Sequence, residues 1–194
     1  LQLSNLQSLA PVIRKTGPGG LTLSQAVYNN NLFLSVFDGT VRLTSDAGDS
    51  SLANLQLVGE QAGARIEFAA PQHIASLTLR FGASALNEGH YLHFRSFDVA
   101  ADAGAVFDLG TGAVAVTYPG NPPVAKIRNL IISGINAEGA LWEGGGITSS
   151  AAHDDPLGIT TIGYADNSLL QYTHVSGLHF NYDALGEELP QRAS

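Results

Sequence analysis

From Leu32 to Tyr118 hydrophobic and polar positions alternate in short runs. Leu32-Phe33-Leu34-Ser35-Val36-Phe37, Val41-Arg42-Leu43, Leu55-Gln56-Leu57-Val58, Arg65-Ile66-Glu67-Phe68, Leu77-Thr78-Leu79, Tyr91 to Val99 and Val114-Ala115-Val116 are separated by Gly, Asp, Asn or Pro. A period of two is the mark of half-buried strands, and helical spacing fits none of these runs. The positions Leu57, Leu79, Val99 and Val116 recur at intervals of about 17 to 22 residues, close to one rung of a parallel β-solenoid. They are predicted to point inward and stack. Gly48, Gly59, Gly63, Gly82, Gly89, Gly104, Gly110 and Gly112 supply the corners between strands. The irregular interval leaves a β-sandwich as the alternative.

Three stretches break the pattern. In Pro123 to Gly134, Val124, Ile127, Leu130 and Ile131 follow helical spacing, with Pro at the start and Gly after the end, which predicts one short helix. Gly139 to Ser150 reads as a glycine-rich loop, followed by final strands at Ile159 to Tyr164 and Ser168 to Tyr172. Before the strands, Leu1-Gln2-Leu3 and Leu21-Thr22-Leu23 flank Arg14-Lys15-Thr16-Gly17-Pro18-Gly19-Gly20, a helix-breaking segment that predicts an extended arm. The expected architecture is mostly β: an N-terminal arm and linker over residues 1–20, a short parallel solenoid over 21–122, and a capping helix, loop and C-terminal strands over 123–194.

Composition narrows the function classes. At 194 residues the chain is large enough for one domain with a sizeable core. Hydrophobic residues make up 44% and charged residues 13%, the latter about half the usual share. Nine Lys+Arg against seventeen Asp+Glu give a net charge of −8, which argues against nucleic acid or an anionic membrane as partner. With no Cys, disulfides, thiolate metal sites and cysteine nucleophiles are excluded. Met is also absent, so a chain beginning at Leu1 reads as the mature product of a longer precursor. No apolar run approaches the ~18 residues of a membrane span. Together with abundant Gly, Ser, Thr and Asn, these features point to a secreted, extracellular or cell-surface protein.

Asp108-Leu109-Gly110-Thr111-Gly112-Ala113-Val114-Ala115-Val116-Thr117-Tyr118 is followed by Pro123, Ile127-Arg128, Leu130-Ile131 and Gly134. Then come Leu141-Trp142-Glu143-Gly144-Gly145-Gly146-Ile147-Thr148-Ser149-Ser150-Ala151-Ala152 and Ile162-Gly163-Tyr164-Ala165-Asp166. In this order and spacing the pieces resemble the closing segment of bacterial secreted proteins built from autotransporter-associated β-strand repeats, many of which end in a PEP-CTERM signal or a dockerin-like module. The resemblance implies a surface-displayed β-repeat protein, generally without assigned catalysis. It also implies a calcium loop after Tyr172-Thr173, but here Gly177, His179 and Asn181 occupy the first three ligand positions and Tyr182 stands at the turn glycine. Ca²⁺ needs several hard oxygen ligands, so Asp183 and Glu188 alone are insufficient and the tail reads as degenerate.

Candidate chemistry is sparse. His90 and His93, three apart in a strand, fall on opposite faces and would not share a metal. His153-Asp154-Asp155-Pro156 gathers oxygen ligands, but Asp-Pro is first a turn signal. Ser149-Ser150 lacks the Gly-x-Ser-x-Gly elbow, and Gly144-Gly145-Gly146 lacks the Lys of a phosphate loop. Only Lys15 and Lys126 are lysines, and only Asp98 and Asp102 are acids near strand spacing, thin material for a glycan-active enzyme. Arg42, Arg65, Arg80 and Arg95 sit on outward positions or turns. Trp142, with Tyr164 and Tyr172, offers either a glycan-stacking surface or a cap over the last rung. No catalytic residue, metal or cofactor is expected. The reading is an extracellular structural subunit of a surface layer, fibre or matrix, forming a homo-oligomer or filament through its solenoid ends or an arm carrying Leu1, Leu3, Leu6 and Leu9. The alternative is an adhesive module that binds extracellular polysaccharide.

Overall fold

The computed structural model describes residues 2–3, 12–24, 32–48, 53–136, 140–166, 174–175 and 178–179. Thirteen strands alternate between two parallel sheets. One sheet is ordered β1 (Gln2–Leu3), β3 (Gly20–Leu23), β5 (Gly39–Leu43), β7 (Ala64–Phe68), β9 (Ser84–Asn87), β11 (Val106–Asp108) and β13 (Gly146–Thr148). The other is ordered β2 (Val12–Lys15), β4 (Phe33–Val36), β6 (Gln56–Gly59), β8 (Gln72–Leu79), β10 (Tyr91–Val99) and β12 (Ala113–Val116). Each strand pairs with the strands one turn before and after it, the arrangement of a parallel β-solenoid. Parallel pairing excludes the sandwich, whose sheets are antiparallel. A separate antiparallel pair, β14 (His174–Val175) and β15 (Leu178–His179), lies near the C-terminus.

Alternation along each strand becomes columns through the stack. Val41 lies between Leu21 and Ile66, and the column continues through Ala85 and Phe107 to Ile147. All six are buried. In the facing sheet, Leu34, Leu57, Leu77 and Phe97 form one column, and Val36, Gly59, Leu79 and Val99 another. The expected stack of Leu57, Leu79, Val99 and Val116 is therefore corrected: Leu79 does pair with Val99, but Leu57 pairs with Leu77, and Val116 sits on Phe94. β8 and β10 each turn a corner. Gln72 and Ile74 are buried, Ala75 and Ser76 are not, and Leu77 and Leu79 are buried again. The amides of Ala75 and Ser76 both reach the Leu55 carbonyl, at 2.9 and 3.4 Å, as in a bulge. In β10 the same corner falls at Arg95-Ser96.

Buried polar side chains hold the corners where the ladder lapses. Gln72 accepts from the Ala47 amide at 3.0 Å and donates to the Ser45 carbonyl at 2.8 Å. Asn87 accepts from the His90 amide at 2.9 Å and donates to its carbonyl at 2.8 Å. Toward the C-terminal end the core becomes aromatic: Phe97 stacks on Phe94 at 5.6 Å and meets Phe107 edge-on at 5.3 Å.

The stack passes both expected boundaries. β2 pairs with β4 over four positions and β3 begins at Gly20, so residues 12–20 belong to the solenoid rather than to an arm and linker. Val12 and Ile13 follow the same alternation as the later strands, and the Gly-Pro segment between Lys15 and Gly20 makes one more corner. At the other end β13 adds to β11 inside the expected loop, 139–150. Residues 159–164 form no strand, and the expected strand at 168–172 lies outside the described residues. The expected helix is α1 (Val124–Ile135). Gly134 does not end it; Asn136, in a left-handed conformation with φ 50°, does. Gly134 is the point of closest approach, where a Cβ would stand 1.9 Å from the Ile147 carbonyl oxygen of β13. Gly146, at φ 114°, approaches the Leu130 carbonyl in the same way.

Two substitutions test this packing. Leu79→Asp places an unpaired charge at a fully buried position and is expected to cost more than ~4 kcal/mol, read as loss of the cooperative transition in urea. Gly134→Ala is expected to cost upwards of ~2 kcal/mol by forcing α1 off β13, whereas the exposed neighbour Ser133→Ala changes stability by less than ~0.5 kcal/mol.

Candidate functional site

The residues singled out in the sequence do not converge. Leu3 lies in β1, in register with Leu23 of its own chain, while Leu1, Leu6 and Leu9 lie outside the described residues. Trp142 is half-buried and packs against the hydrophobic core. It is held in the left-handed region at φ 67°, its amide donating to the Ile135 carbonyl at the end of α1 at 2.9 Å. A ring packed against the core in this way leaves less surface for a sugar. Tyr164 is exposed, and Tyr172 lies outside the described residues, as do most of the residues aligned with the calcium loop.

The glycine triplet that follows Trp142 is explained by packing. Cβ atoms at Gly144 and Gly145 would meet the Ser133 and Ala101 carbonyl oxygens at 2.0 and 2.4 Å, so the segment threads between α1 and the short 3₁₀ turn Ala101–Ala103. Ser149 is the N-cap of α2 (Ser150–His153): its Oγ accepts from the Ala152 amide at 3.1 Å and donates to the Gly110 carbonyl at 2.9 Å. Both roles are structural.

His153 is exposed and its ring meets Asp154 at 2.8 Å and Glu143 at 3.2 Å, contacts that raise its pKa, Asp154 foremost. Asp155 turns away from them into its own loop. Its carboxylate accepts from the Thr160 hydroxyl at 2.6 Å and from the amides of Leu157, Ile159 and Thr160 at 2.9, 3.0 and 2.7 Å. These bonds, the Thr160 hydroxyl first, bring its pKa down to about 2. The Asp155 carboxylate is thus engaged within its own turn. Among the described residues no group of three or more His, Asp or Glu side chains is placed to hold a metal ion, and no helix is long and apolar enough to cross a membrane.

Arg42 and Arg80 bind neighbouring turns, and Arg65 binds within its own strand. Arg42 on β5 reaches Glu67 on β7 at 2.8 Å and holds Glu88 through both guanidinium nitrogens. Arg65 also contacts Glu67 at 2.8 Å, and Arg80 contacts Glu60 at 3.2 Å. Burial alone would raise the Glu67 carboxyl, but the hydrogen bonds from Arg42 and Arg65 hold it below its ordinary value. Lys15 donates to the carbonyls of Gly17 and Asp38 at 2.5 and 2.8 Å, tying two corners together.

The histidine pair that the fold brings together was not singled out in the sequence. His90 sits in a turn, while His93 in β10 lies in register with His73 in β8, their rings edge to face at 5.7 Å. His73 Nδ1 meets Asp46 Oδ2 at 2.6 Å, and His93 Nε2 meets the Thr117 hydroxyl at 2.6 Å. The signal for this pair is the one-turn separation of His73 and His93, the same as that of Leu77 and Phe97. His93 is buried, and burial, then His73 and Arg95, bring its pKa down to about 4.

Replacing Asp155 by Asn weakens four hydrogen bonds without touching the core. The expected outcome is faster amide exchange at Leu157, Ile159 and Thr160 by NMR, with a global melting temperature within about 1 °C of the parent. No protein-family model, curated protein or solved structure matches this chain.

Proposed function

We propose that this chain is an extracellular structural module: a stiff β-solenoid that spaces or assembles elements of a surface layer, fibre or matrix. The observation that carries the reading is how its outward charges are used. Arg42 binds Glu67 and Glu88, Arg80 binds Glu60, and Asp46 fastens His73, each across turns, so these side chains reinforce the stack instead of converging on a substrate. Low charge and a glycine-cornered repeat suit an exported protein, and the resemblance to β-strand-repeat surface proteins points the same way.

Self-association is part of the proposal. β1 and β2 complete the sheets of their own chain, so association falls to the outer edges of β2 and β12, the last strands of their sheet among the described residues. Unpaired backbone groups on such edges favour strand addition. A head-to-tail contact that does not close propagates as a filament. Negative-stain electron microscopy and sedimentation velocity are expected to show elongated species that lengthen with concentration, and a glycan array is expected to show no saturable binding. Protein that stays monomeric at its highest soluble concentration while binding one glycan saturably would replace this reading with the adhesive one.

A further inference from the structure

Four side chains form a polar belt up one face of the solenoid. Asp46, in the turn after β5, fastens the His73 backbone amide at 2.8 Å and its ring at 2.6 Å. His73 packs against His93 one turn on, and His93 reaches Thr117, the residue after β12. Next in the chain, Tyr118 donates its hydroxyl to Asp166 at 2.8 Å, so the belt ends where the segment 161–166 is anchored. Each contact joins parts of the chain 24 to 48 residues apart or on adjacent turns.

We propose that this belt is an acid-sensitive latch that releases β12, and with it the segment anchored through Tyr118, from the end of the solenoid. Imidazolium rings on adjacent turns repel, and a ring as buried as His93 carries a charge poorly. Among the described residues the charged or titratable groups around it are His73 on β8, Asp46 beyond His73, and Arg95 on its own strand. His73 one turn away adds to the cost of a proton on His93. The strain has an unequal choice of outlet. On one side β10 is paired with β8 at seven positions, and on the other with β12 at four. Among the described residues β12 is also the outermost strand of its sheet. The shorter ladder opens first.

The direction in pH follows from the depressed pKa of His93. Opening restores its proton affinity toward the ordinary 6.5, so the closed latch is fully favoured above that value and loses stability as pH falls from there to about 4. Conversion of a local structure by histidine protonation needs no cofactor and no change of fold elsewhere.

Hydrogen exchange on the full chain at pH 7 and pH 4, corrected for intrinsic rates, tests the latch. Amides of Ala113 to Val116 are expected to lose protection at least about tenfold at pH 4, while those of Ala64 to Phe68 do not. His93→Gln, which keeps a hydrogen-bonding group toward Thr117 but cannot titrate, is expected to abolish the difference. Uniform loss across all strands, no loss at β12, or an undiminished effect in the variant would overturn the proposal. Should His93→Gln fail to fold, the parent protein suffices: an NMR titration in which the His93 ring protonates while the β12 amide signals stay unperturbed would equally overturn it.

Discussion

Each strand of this solenoid takes its hydrogen bonds from the turn before and the turn after, so the backbone register between turns decides where every side chain falls. Once Val41 lies beside Ile66, Leu43 must lie beside Phe68 and Arg42 beside Glu67. The first two pairs bury apolar area and the third places opposite charges on one outer face. Shifting that register by one residue would reverse all three at once. A hydrophobic column and an ion pair are in this sense products of the same constraint. The corner residues serve it too: Gln72 and Asn87 are polar and buried because the backbone groups they satisfy lie where the ladder cannot reach.

That constraint also shapes the electrostatics. A chain with few charges and a net −8 has acids to spare, and Arg42, Arg65 and Arg80 each lie against one. Exposed pairs of this kind contribute about 0–1 kcal/mol each, so they are not what holds the fold. Their effect is on register: Arg42 between Glu67 and Glu88 favours one alignment of β5, β7 and the turn after β9 over its slipped alternatives. The same commitments occupy these side chains in the stack itself.

Much of the architecture was legible because period-two alternation and glycine corners are local signals. Strand positions and α1 follow from neighbours within a few residues, and parallel stacking from the roughly even spacing of inward positions. What sequence reasoning misplaced depends on contacts a turn or more apart. Leu57 pairs with Leu77 rather than Leu79, two inward positions that alternation cannot tell apart, and only the register between turns chooses one. Gly134 read as a helix stop because a glycine needed for close approach to Ile147 looks the same in sequence as one needed for a left-handed turn. Ile159 to Tyr164 alternates well enough for a strand, but the amides of Ile159 and Thr160 are claimed by Asp155. The candidate site was less legible still. His73 lies twenty positions before His93, a spacing that has meaning only after the length of one turn is known.

The C-terminal end of the stack shows how one strand can be closed in two ways. β10 bends at Arg95-Ser96, and its two halves face different directions. Over Tyr91 to Phe94 the next turn continues as β12, strand on strand. Over the other half α1 takes that place: Lys126 Nζ donates to the Phe97 carbonyl at 3.3 Å, a group a further strand would otherwise satisfy, and to Asp98 at 2.5 Å. Leu130 and Ile131 join the hydrophobic core beneath, where Phe94, Phe97 and Phe107 meet. Side chains this wide need a broad apolar lid, and a helix offers a wider face than one strand. Closing with a helix also leaves no edge for another chain to pair with. The strand-covered half keeps such an edge and is held by the shorter ladder, so the difference between the two halves sets which part of this end can open and which cannot.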